Sequence, residues 1–223
     1  MVNNKLIGLY GGAFDPIHKG HILIAQNCLK TIGLNKIIFI PTGNSPNKKI
    51  MSAHHHRLEM LNIVCKDNFF EFSDFEINEY LDQKKISYTI NTLKYFKKMT
   101  GSTLLFILGT DAFSTINSWY KWNEILSYCH LVLIERGIVK SDVKTMSTEV
   151  QKFFKDNITT DINDLKKNNH GAIYPIPMSV FQESSSEIRD RSVKSLDNEN
   201  FLPKAIQDYI KNNELYKFQG HNK

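Results

Sequence analysis

Short apolar runs, each closed by a glycine, a proline or a charged residue, recur along this chain with helix-period segments between them. Leu6–Tyr10 runs into Gly11-Gly12, Ile37–Ile40 ends at Pro41, Leu104–Leu108 at Gly109, and Leu131–Ile134 at Glu135-Arg136. A shorter run, Ile173–Ile176, is interrupted by Pro175. Such runs have no polar face to turn to water, so they fit strands buried on both sides. Between them, Ile22, Leu23, Ala25, Cys28, Leu29 and Ile32 recur at helical spacing up to Gly33, and Leu58 to Val64 and Ile90 to Phe96 repeat the pattern. Strand alternating with helix predicts an α/β fold, a Rossmann-like, doubly wound parallel sheet with helices on both faces. Such sheets bind ligands at the carboxyl ends of their strands, where the strand order reverses.

The stretch after the first run is the richest in chemistry: Gly11-Gly12-Ala13-Phe14-Asp15-Pro16-Ile17-His18-Lys19-Gly20-His21. It is a strand-to-helix turn. Glycines let the backbone turn sharply and let a ligand lie against it. The helix start offers unpaired N–H groups and the positive end of a dipole, which favour a phosphate. His18 and His21 are one helical turn apart and share a face. They read as donors aimed at a polyphosphate. A metal pair is the competing reading, but no acid or cysteine nearby completes a site, so no protein-held metal is expected.

The chain of 223 residues, 41% hydrophobic, is long enough for a substantial core and is read as a single domain, 1–223. Residues 182–216 form a small C-terminal helical appendage, in which Pro203 opens a helix with Ile206, Tyr209 and Ile210 on one face. Residues 137–171, rich in Lys, Asp, Asn and Thr, read as an exposed, mobile insertion in which Phe153 and Phe154 anchor a short helix. The net charge of +5 comes from scattered lysines. That suits anionic small substrates, and no basic face interleaved with aromatics points to nucleic acid. His54-His55-His56 reads as a solvated helix face. Cys28, Cys65 and Cys129 are dispersed with no C-x-x-C spacing, which suggests a reducing compartment. With no membrane-length apolar run and no signal pattern, a soluble cytoplasmic protein without membrane partners is expected. A homo-oligomer is left open.

The Gly11–His21 stretch resembles the G-G-x-F-D-P-x-H-x-G-H signature of the nucleotidyltransferase superfamily, in the form used by nicotinate or nicotinamide mononucleotide adenylyltransferases. The likeness continues through Pro41–Lys49, a proline-containing loop whose Lys48 is the nearest match to the family's basic residue. His56–Leu61 is similar to the helix that follows it. Ser87-Tyr88-Thr89-Ile90-Asn91-Thr92-Leu93 is similar to S-Y-T-x-D-T-L, with Asn91 for Asp. Gly109-Thr110-Asp111 with Trp119 matches G-x-D…W, and His130–Arg136 a strand ending in arginine. Ser184-Ser185-Ser186-Glu187-Ile188-Arg189 looks like I-S-S-T-x-I-R, with Glu183 for isoleucine and Ser186 for threonine. Leu215-Tyr216 fits the family's ending.

The resemblance implies an adenylyltransferase that moves AMP from ATP to nicotinate mononucleotide, with Mg²⁺ carried on the ATP. His18, His21 and Arg189 would be catalytic. Gly11, Gly12, Phe14, His18, His21, Gly109, Asp111, Ser184, Ser185, Ile188 and Arg189 would bind ATP. Lys48, Tyr88, Thr89, Asp111, Trp119 and Arg136 would bind the mononucleotide. The overall likeness is to bacterial-type enzymes that favour the acid over the amide. A phosphopantetheine or other small-phosphate nucleotidyltransferase, and a nucleotide-binding regulator without catalysis, stand as alternatives. Trp119 and the Ser87–Leu93 segment speak against the first, the histidines and Arg189 against the second.

Overall fold

In the computed structural model, which describes residues 5–44, 50–66, 69–136, 145–178, 184–193 and 200–216, the apolar runs pair into a six-stranded sheet of order β3-β2-β1-β4-β5-β6. The strands are β1 Leu6–Gly12, β2 Lys36–Pro41, β3 Phe70–Phe72, β4 Thr103–Gly109, β5 His130–Arg136 and β6 Ile173–Met178, and every pairing is parallel. The alternation of a doubly buried strand is visible along β1. Leu6 and Tyr10 join the core on one face, Ile7 and Leu9 the core on the other. β6 tolerates Pro175 and Pro177 because it is an edge strand of the sheet, paired with β5 and otherwise only bridged at Ile173 by Ile158, so the missing N–H groups break no inner ladder.

Helices α1 Lys19–Cys28, α2 His54–Val64 and α4 Thr89–Thr100 fall in the order the periodicity predicts, with a π-helical turn, Leu29–Gly33, extending α1; α3 Phe75–Gln83 lies between α2 and α4, and the short α5 Thr110–Phe113 follows β4. β3 and α3 have no counterpart among the expected elements. Phe70-Glu71-Phe72 is too short to show alternation, and α3 has Ile77 as its only buried residue.

The expected mobile insertion is corrected over 145–171. Residues Thr148–Asn157 form α6 and Ile162–Lys167 form α7, with Val150 and Leu165 fully buried. Phe153 and Phe154 do act as anchors, packing on Phe113 at 6.3 and 6.0 Å, and Phe153 meets Trp122 edge-on at 5.1 Å. Residues 137–144 lie outside the described residues. The C-terminal helices, α8 Ser185–Val193 and α9 Lys204–Asn212, are not a separate body. Ile188, Leu202, Ile206 and Ile210 bury themselves in the same cluster as Tyr10 and Phe14. Cys28 and Cys129 are buried, Cys65 is half-buried, and all three are free thiols that burial pushes up to about 12. Among the described residues no helix is long and apolar enough to cross a membrane.

Candidate active site

The strand order reverses between β1 and β4, whose carboxyl ends lie side by side in the middle of the sheet. The glycine turn leaves β1 there. Phe14 takes a left-handed conformation (φ 48°) that a phenylalanine rarely adopts, and packing over-determines it. Its ring is buried edge-on against Tyr10 (5.7 Å), Phe39 (5.4 Å) and His21 (5.1 Å). Phe14 therefore offers a ligand its backbone only. The Asp15–Pro16 peptide is cis.

His18 caps α1 in an extended conformation, and its N–H donates to His21 Nδ1 at 3.3 Å. An accepting Nδ1 places the ring proton of neutral His21 on Nε2, as a donor. The two imidazoles lie 3.7 Å apart between centroids, tilted by 35°. Gly20 makes that possible, because a Cβ there would come within 2.9 Å of His18 Nδ1. Two of the helix's first amides are already engaged, Lys19 N–H with the Phe201 carbonyl (2.8 Å) and His21 N–H with that of His18 (3.0 Å).

The serine-arginine motif closes on the same turn. Ser185 Oγ donates to the Pro16 carbonyl at 3.1 Å, and Arg189 Nη1 to the Asp15 carbonyl at 2.6 Å, with Nη2 on Ser186 Oγ at 3.1 Å. Ser184 and Glu187 form a reciprocal cap: Ser184 N–H donates to the Glu187 carboxylate, and Glu187 N–H to Ser184 Oγ. That cap, with its backbone hydrogen bond first, holds the Glu187 carboxyl below its usual range. Ile188 is corrected from an ATP contact to an anchor. Its side chain is fully buried in the core and its N–H donates to the Ser184 carbonyl. Glu183 lies outside the described residues.

The acceptor side is more open. Tyr88 caps α4 and Thr89 begins it, both half-buried, and the Tyr88 ring lies 4.8 Å from exposed Tyr120. Trp119 is half-buried, edge-on to Phe106 at 6.4 Å. Gly109 closes β4, and exposed Asp111 sits in the first turn of α5. Arg136 ends β5, at the same sheet edge, but its side chain and the whole of Lys48 lie outside the described residues.

Three residues that hold this arrangement, Asp15, Arg57 and Glu76, had no role in the sequence reading. The fully buried Asp15 carboxylate accepts from Met51 N–H (2.7 Å), Ser52 N–H (3.3 Å), the Ser52 hydroxyl and the Tyr216 hydroxyl (2.8 Å). Buried Arg57 donates from Nη1 to the Ala13 carbonyl (2.9 Å) and from Nη2 to that of Thr42 (2.8 Å). Glu76 binds Thr92 Oγ1 at 2.6 Å. A signal existed for Arg57, since helical spacing puts it on the face of Met60 and Leu61. Of the histidines of α2, His55 is exposed as expected, and His54 and His56 are corrected from a solvated face to half-buried. His54 Nε2 lies 3.1 Å from the Gly43 carbonyl and His56 Nδ1 2.9 Å from Tyr209 Oη, and burial pushes both below the usual histidine range.

Residues 9–191 match the family model described as cytidylyltransferase-like. A probable nicotinate-nucleotide adenylyltransferase from Thermoanaerobacter sp. (strain X514) is 32% identical over 221 residues, spanning 97% of this chain and 96% of the relative. A namesake from Buchnera aphidicola subsp. Schizaphis graminum (strain Sg) is 34% identical over 223 residues, spanning 98% and 99%. In fold the chain is similar to a Plasmodium falciparum nicotinic acid mononucleotide adenylyltransferase complexed with NaAD, with a TM-score of 0.72 at 22% identity over 95% of this chain and 97% of that one.

Proposed function

The chain belongs to the cytidylyltransferase-like family, and from that premise we infer that it is a nicotinate-nucleotide adenylyltransferase. It transfers the adenylyl group of ATP to nicotinate mononucleotide, giving deamido-NAD and pyrophosphate. The observation that carries the reading is the closely paired His18 and His21 rings on a turn that Arg189 and Ser185 grip from the far end of the chain.

The chemistry asks little covalent work of the protein. A mononucleotide phosphate, with a second pKa of about 6, is largely a dianion near neutrality and needs no general base. One of its oxygens attacks the α-phosphorus of ATP in line. A P–O bond forms there as the P–O bond to pyrophosphate breaks, and the electron pair leaves on pyrophosphate. Positioning and charge stabilisation supply the rate. His18 and His21 donate to the phosphoryl oxygens where charge gathers. Arg189, with donors beyond the two bonds it makes to the turn and Ser186, and Lys48 act as cationic clamps, and Ser184 and Ser185 complete the anion site.

Gly109 and Asp111 flank the nucleotide riboses at the end of β4. Tyr88, Thr89 and Trp119 take the pyridine ring, and Arg136 the mononucleotide's phosphate or carboxylate. The donors around the turn complement phosphate oxygens rather than a metal, and among the described residues no group of three or more His, Cys, Asp or Glu gathers. Mg²⁺ fits as an ion held by the triphosphate and water, where it supplies neutralising charge. The dispersed free cysteines support a cytoplasmic setting.

The test is pyrophosphate release with ATP and Mg²⁺, offering nicotinate and nicotinamide mononucleotides side by side. Strong preference for nicotinate is expected. Equal rates would overturn the acid preference and keep the reaction; no turnover with either would overturn the reading.

A further inference from the structure

The acceptor side of the site is braced from behind by a carboxylate that the reaction itself does not use. Glu76, in the first turn of α3, accepts from Thr92 Oγ1, in the first turn of α4, at 2.6 Å. The Ser87 oxygen accepts from Gly43 N–H (3.1 Å) and Asn44 N–H (3.2 Å), and Ser87 N–H donates to the Asn44 carbonyl (3.0 Å). Two amides thus fix that oxygen in place. The backbone of α3 packs against the same loop, since a Cβ on Gly43 would fall 2.0 Å from the Glu76 backbone carbonyl oxygen, so only glycine fits there. Arg57 extends the network, bonding Thr42 on the same loop and Ala13 on the phosphate turn. One continuous set of polar contacts therefore runs from the ATP turn, through Arg57 and residues 42–44, to Ser87, the residue just ahead of Tyr88 and Thr89.

We propose that Glu76 is the positioning residue of the mononucleotide subsite, pinning the start of α4 through Thr92 while its backbone packs on the 42–44 loop that Ser87 holds, so that Tyr88 and Thr89 stand in one fixed geometry toward the ATP turn. The proposal rests on the reading of Tyr88 and Thr89 as acceptor contacts. The lock works through an ionised carboxylate, whose charge-assisted bond from Thr92 is stronger than the one a protonated carboxyl accepts. Burial pushes the Glu76 carboxyl above its usual range; its hydrogen bonds and the Arg57 charge oppose that. The charged and titratable groups around it are Arg57 and His54 on α2, with Asp15 and Tyr216 beyond Arg57. On acidification a proton on Glu76 loosens the lock, and the comparison with Glu76→Gln separates that from protonation of His54, which meets the Gly43 carbonyl.

Steady-state pyrophosphate release, varying one substrate at a time, tests this in wild type, Glu76→Gln and Ser87→Ala. Loss of the charge-assisted bond at Glu76, or of the two amide bonds at Ser87, predicts a KM for nicotinate mononucleotide raised about tenfold in each variant. The KM for ATP is expected to move less than about twofold. The wild-type mononucleotide KM rises further as pH is lowered than that of Glu76→Gln. If Glu76→Gln does not fold, the KM split in Ser87→Ala decides alone. Equal changes in both KM values, or none, in an active enzyme would overturn the proposal and leave the function standing. A wild-type protein inert with either mononucleotide would overturn both.

Discussion

The Tyr216 hydroxyl donates to Asp15 Oδ1 at 2.8 Å, so a residue that follows the last helix completes the hydrogen-bonding of a buried carboxylate in the first turn of the site. Burial, with the Asp15 charge next, raises the Tyr216 phenol well above its usual range, and so it stays a donor throughout the physiological range. Tyr216→Phe keeps the ring and removes that one donor. A charged acceptor short of a partner costs about 1–3 kcal/mol. The expected outcome is a clear fall in the urea midpoint with an unchanged slope. Tyr209→Phe, which loses a less buried bond to His56, should fall by less.

His18→Ala is expected to cut kcat by about 10²–10³, the range for losing one donor to a developing phosphoryl charge. Its KM for the mononucleotide should scarcely change, because the imidazole faces the other substrate. Kinetics with each substrate varied separately read this directly. Equal losses in turnover and mononucleotide binding would sink the transition-state role.

The turn, its histidines and the strands were legible because their signals are local. A glycine turn, a helix start and an apolar run are each read within a dozen residues. What the sequence reading missed joins residues far apart in the chain. Asp15 meets Tyr216, Arg57 meets Ala13, and Glu76 meets Thr92 and Gly43 only once the sheet has formed. Asp15 and Glu76 look like ordinary surface charge in their own windows, and only the spacing of Arg57 with Met60 and Leu61 hinted at burial. Ile188 was misplaced for the opposite reason. It stands in a motif rich in phosphate donors, but the face of α8 on which it lies is the one turned to the core.

His130 makes acid stability testable. It is fully buried, Nε2 lies 2.9 Å from the Asn168 carbonyl, and Nδ1 accepts from Ala172 N–H at 3.1 Å. Only the neutral ring satisfies both, and burial pushes the group below the histidine value of 6.5. The unfolded chain then binds the proton more readily than the folded one, so stability rises with pH. This contribution is fully present above about 6.5 and is lost as pH falls through the depressed folded value. Glu76, raised by burial, acts in the opposite sense. Urea midpoints of wild type and His130→Phe at pH 7.5, 6.5 and 5.5 isolate the histidine. The variant should be weaker at pH 7.5 and should lose less on acidification.

Arg57→Lys separates charge from geometry. A lysine keeps the positive charge beside Asp15 and Glu76, yet its ammonium is a point donor where the planar guanidinium spans two carbonyls, Ala13 and Thr42. One of those half-buried carbonyls would lose its partner, which predicts about 1–2 kcal/mol of destabilisation in a urea titration. Because the two carbonyls belong to the ATP turn and the acceptor loop, the kinetic signature should differ from that of Glu76→Gln. Both KM values should rise together, since the turn and the loop lose their common tie. A stability loss with both KM values unchanged would show that Arg57 supports the core and leaves the relative placement of the two substrates to other contacts.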